Sequence, residues 1–75
     1  MGFKVRKWSS TNERPFDVVY EDHTFNNVHY QPQVEFSTEE MAEAHRVELV
    51  GNFSDAALSF IRDHWPTDGE IVPEQ

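Results

Sequence analysis

The apolar residues of this chain recur at every second position as far as Phe36 and on a helical period beyond it. That change of period calls for strands first and helices second, which is an α+β fold. Seventy-five residues leave room for one small domain. The chain has no cysteine, so no disulfide or thiolate metal site assists and the apolar core must hold the fold alone. Six Phe, two Trp and two Tyr supply the large side chains that such a core needs.

Phe3-Lys-Val-Arg-Lys-Trp8 alternates apolar and basic residues and predicts a strand over about 3–8. Phe3 and Val5 share one face; Lys4, Arg6 and Trp8 share the other. Residues 9–15 are polar and close on Pro15, which marks a loop. A second strand is expected over 16–22, with Phe16, Val18 and Tyr20 on one face. The third, over 28–36, sets Val28, Tyr30, Pro32, Val34 and Phe36 against His29, Gln31, Gln33 and Glu35. Pro32 cannot donate to a ladder, so this strand lies at an edge, is bulged, or is split. Two to three sequential strands with short loops form a small antiparallel meander.

Ser37-Thr-Glu-Glu40 then has the form of a capping box, with Phe36 and Met41 as its hydrophobic staple. A helix is expected over about 38–50, ended by Gly51. Ser54 starts a second helix over about 55–65, stapled by Phe53 and Leu58 and stopped by Pro66. Met41, Ala42, His45 and Leu49 form the apolar stripe of the first segment. Ala57, Leu58, Phe60, Ile61, His64 and Trp65 form that of the second. In one continuous helix these stripes would point about 140° apart. Two helices joined by a turn at Gly51-Asn52 can bury both against one sheet. The domain is expected to span 1–66, and 67–75 to be an acidic flexible tail.

The formal charge is −8, unevenly spread. Residues 1–15 hold Lys4, Arg6, Lys7 and Arg14 against Glu13, a net of +3; the remainder holds thirteen acids against Arg46 and Arg62, a net of −11. Phosphates repel so acidic a body, which argues against an ordinary nucleic-acid binder. No apolar run is long enough for a membrane span and no secretory signal pattern is present. A cytoplasmic location is the expectation.

Catalytic and metal signatures are absent. No phosphate loop, dinucleotide loop or nucleophile elbow occurs, and glycine is found only at positions 2, 51 and 69. The four histidines, His23, His29, His45 and His64, lack zinc-ligand spacing. His45 and His64 lie on the apolar stripes and are read as half-buried packing residues; a close approach of the two would make a pH-sensitive contact or a metal site. No enzyme activity, cofactor or metal is expected. Helix–turn–helix spacing would give a second helix whose outward residues are Asp55, Ser59, Arg62 and Asp63, too acidic to read DNA. Asn52-Phe53-Ser54 has the form of a glycosylation sequon and is read as a helix cap.

Two features point to binding. Glu39, Glu40, Glu43 and Glu48, followed by Asp55 and Asp63, make an acidic helical surface. Val47 and Val50, placed off the first helix stripe, add apolar surface that suits a protein interface, a homodimer included. The expected function is a non-enzymatic interaction module that binds, and inhibits or adapts, a larger basic protein. The first alternative is a DNA mimic occupying a nucleic-acid-binding protein. The second is weak nucleic-acid binding through Lys4, Arg6, Lys7 and Trp8; pairing of Lys4 and Arg6 with Asp17, Glu21 and Glu35 across strands competes with that role. In style the chain resembles small accessory proteins of phages and mobile elements, with no shared motif and no residue to transfer.

Overall fold

The computed structural model describes residues 2–7 and 13–71. The strands are β1 (Phe3–Lys7), β2 (Phe16–Asp22), β3 (Asn27–Tyr30) and β4 (Thr67–Glu70); the helices are α1 (Glu39–Gly51) and α2 (Asp55–His64). The strands form one antiparallel sheet in the order β1-β2-β3-β4. Both helices are inserted between β3 and β4 in sequence, and the expected α+β class is observed.

The core is built from one sheet face and both helices. Phe3, Val18, Ala42, Ile61 and Trp65 are buried together, flanked by Val5, Phe16, Tyr20, Phe36, Leu49 and Val50. Burying side chains such as Val18 and Ile61 contributes about 1.5–3 kcal/mol each. The register Phe3↔Tyr20 and Val5↔Val18 keeps the apolar positions of β1 and β2 on the same side, as their alternation requires.

The third predicted strand is split. β3 stops at Tyr30, the chain turns through Pro32 and Gln33, and Phe36 returns to bridge Phe16. Gln33 takes a left-handed φ of 61° in this turn. The turn resets the alternation. Tyr20 lies opposite His29, so His29 faces the core while Val28 and Tyr30 face outward, and Phe36 packs inward again. The expectation that Val28, Tyr30 and Phe36 share one face is therefore corrected.

Residues 67–70, expected to begin a loose tail, form β4 instead. Every side chain in it is exposed, so hydropathy gives no sign of the strand. Backbone pairing to β3, including Tyr30 N–H to Pro66 C=O and Ile71 N–H to Asn26 C=O, creates it.

Thr38, one residue later than expected, caps α1 by accepting from the Met41 N–H at 3.3 Å. Ser37 instead directs its hydroxyl at the Met41 sulfur. The shift carries Gly51 into the helix and makes Asn52 the C-cap. Ser54 caps α2 through the Ala57 N–H, as its position predicted. Two separate helices are observed, and the intervening Phe53 packs on the rings of Phe3 and Tyr20.

Candidate functional site

The acidic candidates are set by α1. Glu39 and Glu40 occupy its first turn, beside the unpaired N–H groups that favour negative charge. With Thr38 and Glu43 they line an open depression of about 520 Å³. Glu43 lies one turn on and takes both Nε and a terminal nitrogen of Arg46. Those hydrogen bonds hold the Glu43 carboxyl below its usual range and Arg46 above its own.

Only Ala42 of the thirteen α1 residues is fully buried. Glu40, Glu43, Ala44, Val47 and Glu48 recur at helical spacing and are all exposed, so they form one outward stripe. Met41 also projects from the surface. Val47 is 56% exposed, as its off-stripe position predicted. Val50 is not: it packs against the core cluster. At 100° per residue Val50 lies about 80° from Ala42, at the edge of the arc that α1 turns to the core, whereas Val47 lies about 140° away. Asp55 and Asp63 are exposed on α2, at its first turn and near its end.

Two residues on the predicted α2 stripe are exposed, and of the stripe only Ile61 and Trp65 join the core cluster. Phe60 is exposed and lies against the exposed His64 ring at 4.4 Å. His45 is half-buried, as expected, with Nε2 2.8 Å from Gln31 Oε1 and its ring beside Phe36. Among the described residues, no three His, Asp or Glu side chains form a group that could hold a metal ion, and no helix is long and apolar enough to cross a membrane.

The basic strand is partly neutralised by its own sheet. Arg6 donates to both Asp17 oxygens, at 3.2 and 2.9 Å, and to Asp68 Oδ2 at 2.8 Å. It thus ties β1 to β2 and to the far edge strand β4 across the outer face. Burial opposes its charge, but Asp17 and then Asp68 outweigh that and raise its pKa. The expected cross-strand pairing therefore holds for Arg6 and Asp17. Lys4 is exposed, and Lys7 lies 5.8 Å from the Phe16 ring centroid. Trp8 lies outside the described residues.

A buried polar cluster escaped the sequence reading. Asp22, 1% exposed, ends β2. It accepts from Arg62 Nε at 2.8 Å and a terminal Arg62 nitrogen at 3.1 Å. It also accepts from the N–H groups of Thr24 and Phe25, which form the following turn. Arg62, expected to point outward, turns instead to the sheet, with its guanidinium 4.9 Å from the Phe25 ring centroid. Hydrogen bonds from Arg62 foremost, and from the turn amides, lower the Asp22 pKa against the effect of burial. His29 sits alongside with Nδ1 3.3 Å from the Trp65 carbonyl oxygen and Nε2 3.6 Å from Asp22 Oδ2. Its Nε2 has no hydrogen-bond partner among the described residues.

An aspartate directly before a turn was the available signal for this cluster; Arg62, forty residues away, gave none. Asp22 and His29 are too enclosed to meet a substrate. Their arrangement clamps the β2–β3 turn and the end of α2 to the sheet. The exposed α1 stripe thus remains the candidate interaction site. The chain matches no protein-family model, no curated protein and no solved structure.

Proposed function

We propose that this chain is a non-enzymatic interaction module that uses the outward stripe of α1 to bind a larger, basic protein. The observation behind this reading is a thirteen-residue helix that commits only Ala42 fully to the core. Its other side presents Val47 and Ala44 among Glu40, Glu43 and Glu48. Carboxylates there steer a basic surface into register, and the small apolar residues give it something to bury.

A DNA mimic needs its acids in one array. Here they are divided: α1 carries one group, while Glu21, Asp68 and Glu70 line a depression on the outer sheet face together with Lys4 and Arg6. Asp17 and Asp22 are occupied by arginines. The division favours a protein-binding helix over phosphate imitation.

Affinity capture with the wild-type chain and a Glu40→Gln, Glu43→Gln, Glu48→Gln variant tests the reading. The captured protein is identified, then titrated calorimetrically at low and high salt. The expected result is a basic partner whose affinity falls with salt and falls at least about tenfold in the variant, while the variant stays folded with only the small loss of stability that exposed helix charges contribute. Equal affinity of both forms would overturn it.

A further inference from the structure

We infer that the open edge of β1 is a docking site for an extended acidic segment of another protein, which adds to the sheet as a fifth antiparallel strand. The site is distinct from the α1 stripe and stands independently of it.

The backbone pattern shows which groups are available. The Gly2 carbonyl accepts from the Glu21 N–H. With Phe3 opposite Tyr20, the hydrogen-bonded pairs are Gly2–Glu21, Lys4–Val19 and Arg6–Asp17. The N–H and C=O groups of Phe3, Val5 and Lys7 therefore point away from β2. Phe16, opposite Lys7, agrees: its own N–H and C=O are both engaged by Phe36 on its other side. Among the described residues no partner takes these β1 groups, and such a row along a five-residue edge is a template for another strand.

Side chains specify what would fit. Lys4 and Lys7 are exposed and form no ion pair among the described residues, in a chain whose net charge is −8. Beside Phe3, a groove of about 360 Å³ is lined by Gly2, Phe3, Val50 and Phe53. A docked strand would place apolar residues opposite Phe3 and Val5 and acids opposite Lys4 and Lys7. The opposite edge of the sheet discourages such a strand. There β4 carries Asp68 and Glu70, and Gly69 at φ 99° interrupts the extended backbone.

Edge lysines also guard sheets against aggregation, and the experiment separates the two roles. The probe is a capped peptide, Thr-Glu-Thr-Val-Glu-Val-Thr, titrated into the isotopically labelled chain and followed by amide resonances. Expected are shifts and slowed hydrogen exchange at Phe3, Val5 and Lys7. The counterpart with lysine in place of glutamate, and a peptide N-methylated along its docking edge, should leave those amides unmoved. A Lys4→Glu, Lys7→Glu variant should bind at least about tenfold more weakly, because two attractive cross-strand pairs become repulsive. If that variant fails to fold, Lys4→Gln, Lys7→Gln with a smaller loss serves instead. The inference is overturned by unmoved β1 amides at millimolar acidic peptide, by equal binding of the acidic and basic peptides, or by self-association through β1 without peptide.

Discussion

Replacing Asp22 by alanine should remove a large share of the stability of this domain. Its carboxylate is 1% exposed and accepts four hydrogen bonds, two from Arg62 and one each from Thr24 and Phe25. Breaking a fully buried ion pair costs about 3–5 kcal/mol. Arg62 keeps some exposure, so water can take over part of its solvation. The two turn amides lose their acceptor outright. The expected cost of Asp22→Ala is therefore about 2–4 kcal/mol. A domain of this length has about 4–11 kcal/mol in total, and the melting temperature should drop by about 10–25 °C. Asp22→Asn keeps an oxygen for the turn and should lose less.

Acidification offers a separate reading of the same site. The Asp22 pKa is lowered in the folded state, by Arg62 first. Its contribution is therefore fully present above the unfolded carboxylate value near about 4 and is lost as pH falls through the lower folded value. The stability gap between wild type and Asp22→Asn should stay constant from neutral pH to about pH 5 and narrow below about pH 4. Urea unfolding at stepped pH measures both quantities. A gap that persists undiminished to about pH 2, or an alanine variant within about 0.5 kcal/mol of wild type, would refute the reasoning.

Helix capping gives a second test: Thr38→Ala and Ser54→Ala should each cost about 1 kcal/mol. Ser37→Ala should stay within about 0.5 kcal/mol of wild type, because Ser37 does not cap α1; denaturant midpoints distinguish the three. Gly2→Ala should drive a methyl group into the Tyr20 ring, which already lies against the Gly2 backbone. The displaced ring would disturb its packing on Phe3 and Phe53, at about 1–3 kcal/mol and with a reduced near-ultraviolet dichroism signal.

Much of the architecture was legible because local rules and burial agreed. The alternation of β1 and β2 matched a register that sends Phe3, Val5, Val18 and Tyr20 to one side. Ser54 had one cap to make and made it. Ser37 and Thr38 competed for the same role, and adjacent hydroxyls cannot be ranked by their spacing from the acids alone. Of the candidate site, the Glu40, Glu43, Val47 and Glu48 stripe was recoverable from helical geometry. Val50 was not, since it lies at the edge of the arc that α1 turns to the core and only the packing shows how wide that arc is. Arg6 was foreseen as an outer-face cation, and its Asp17 partner with it; Asp68 was not, because it belongs to a strand without an apolar residue.

The amino-acid order by itself determined the change from strands to helices at Phe36, the break between two helices, and the concentration of acid on the first of them. These follow from period, capping and charge, which act over a few residues. Tertiary structure alone decided the fourth strand, the inward turn of His29 and the union of Asp22 with Arg62. Each depends on backbone pairing or on a contact between residues far apart in sequence. Hydropathy is blind to the first, and no local propensity encodes the second.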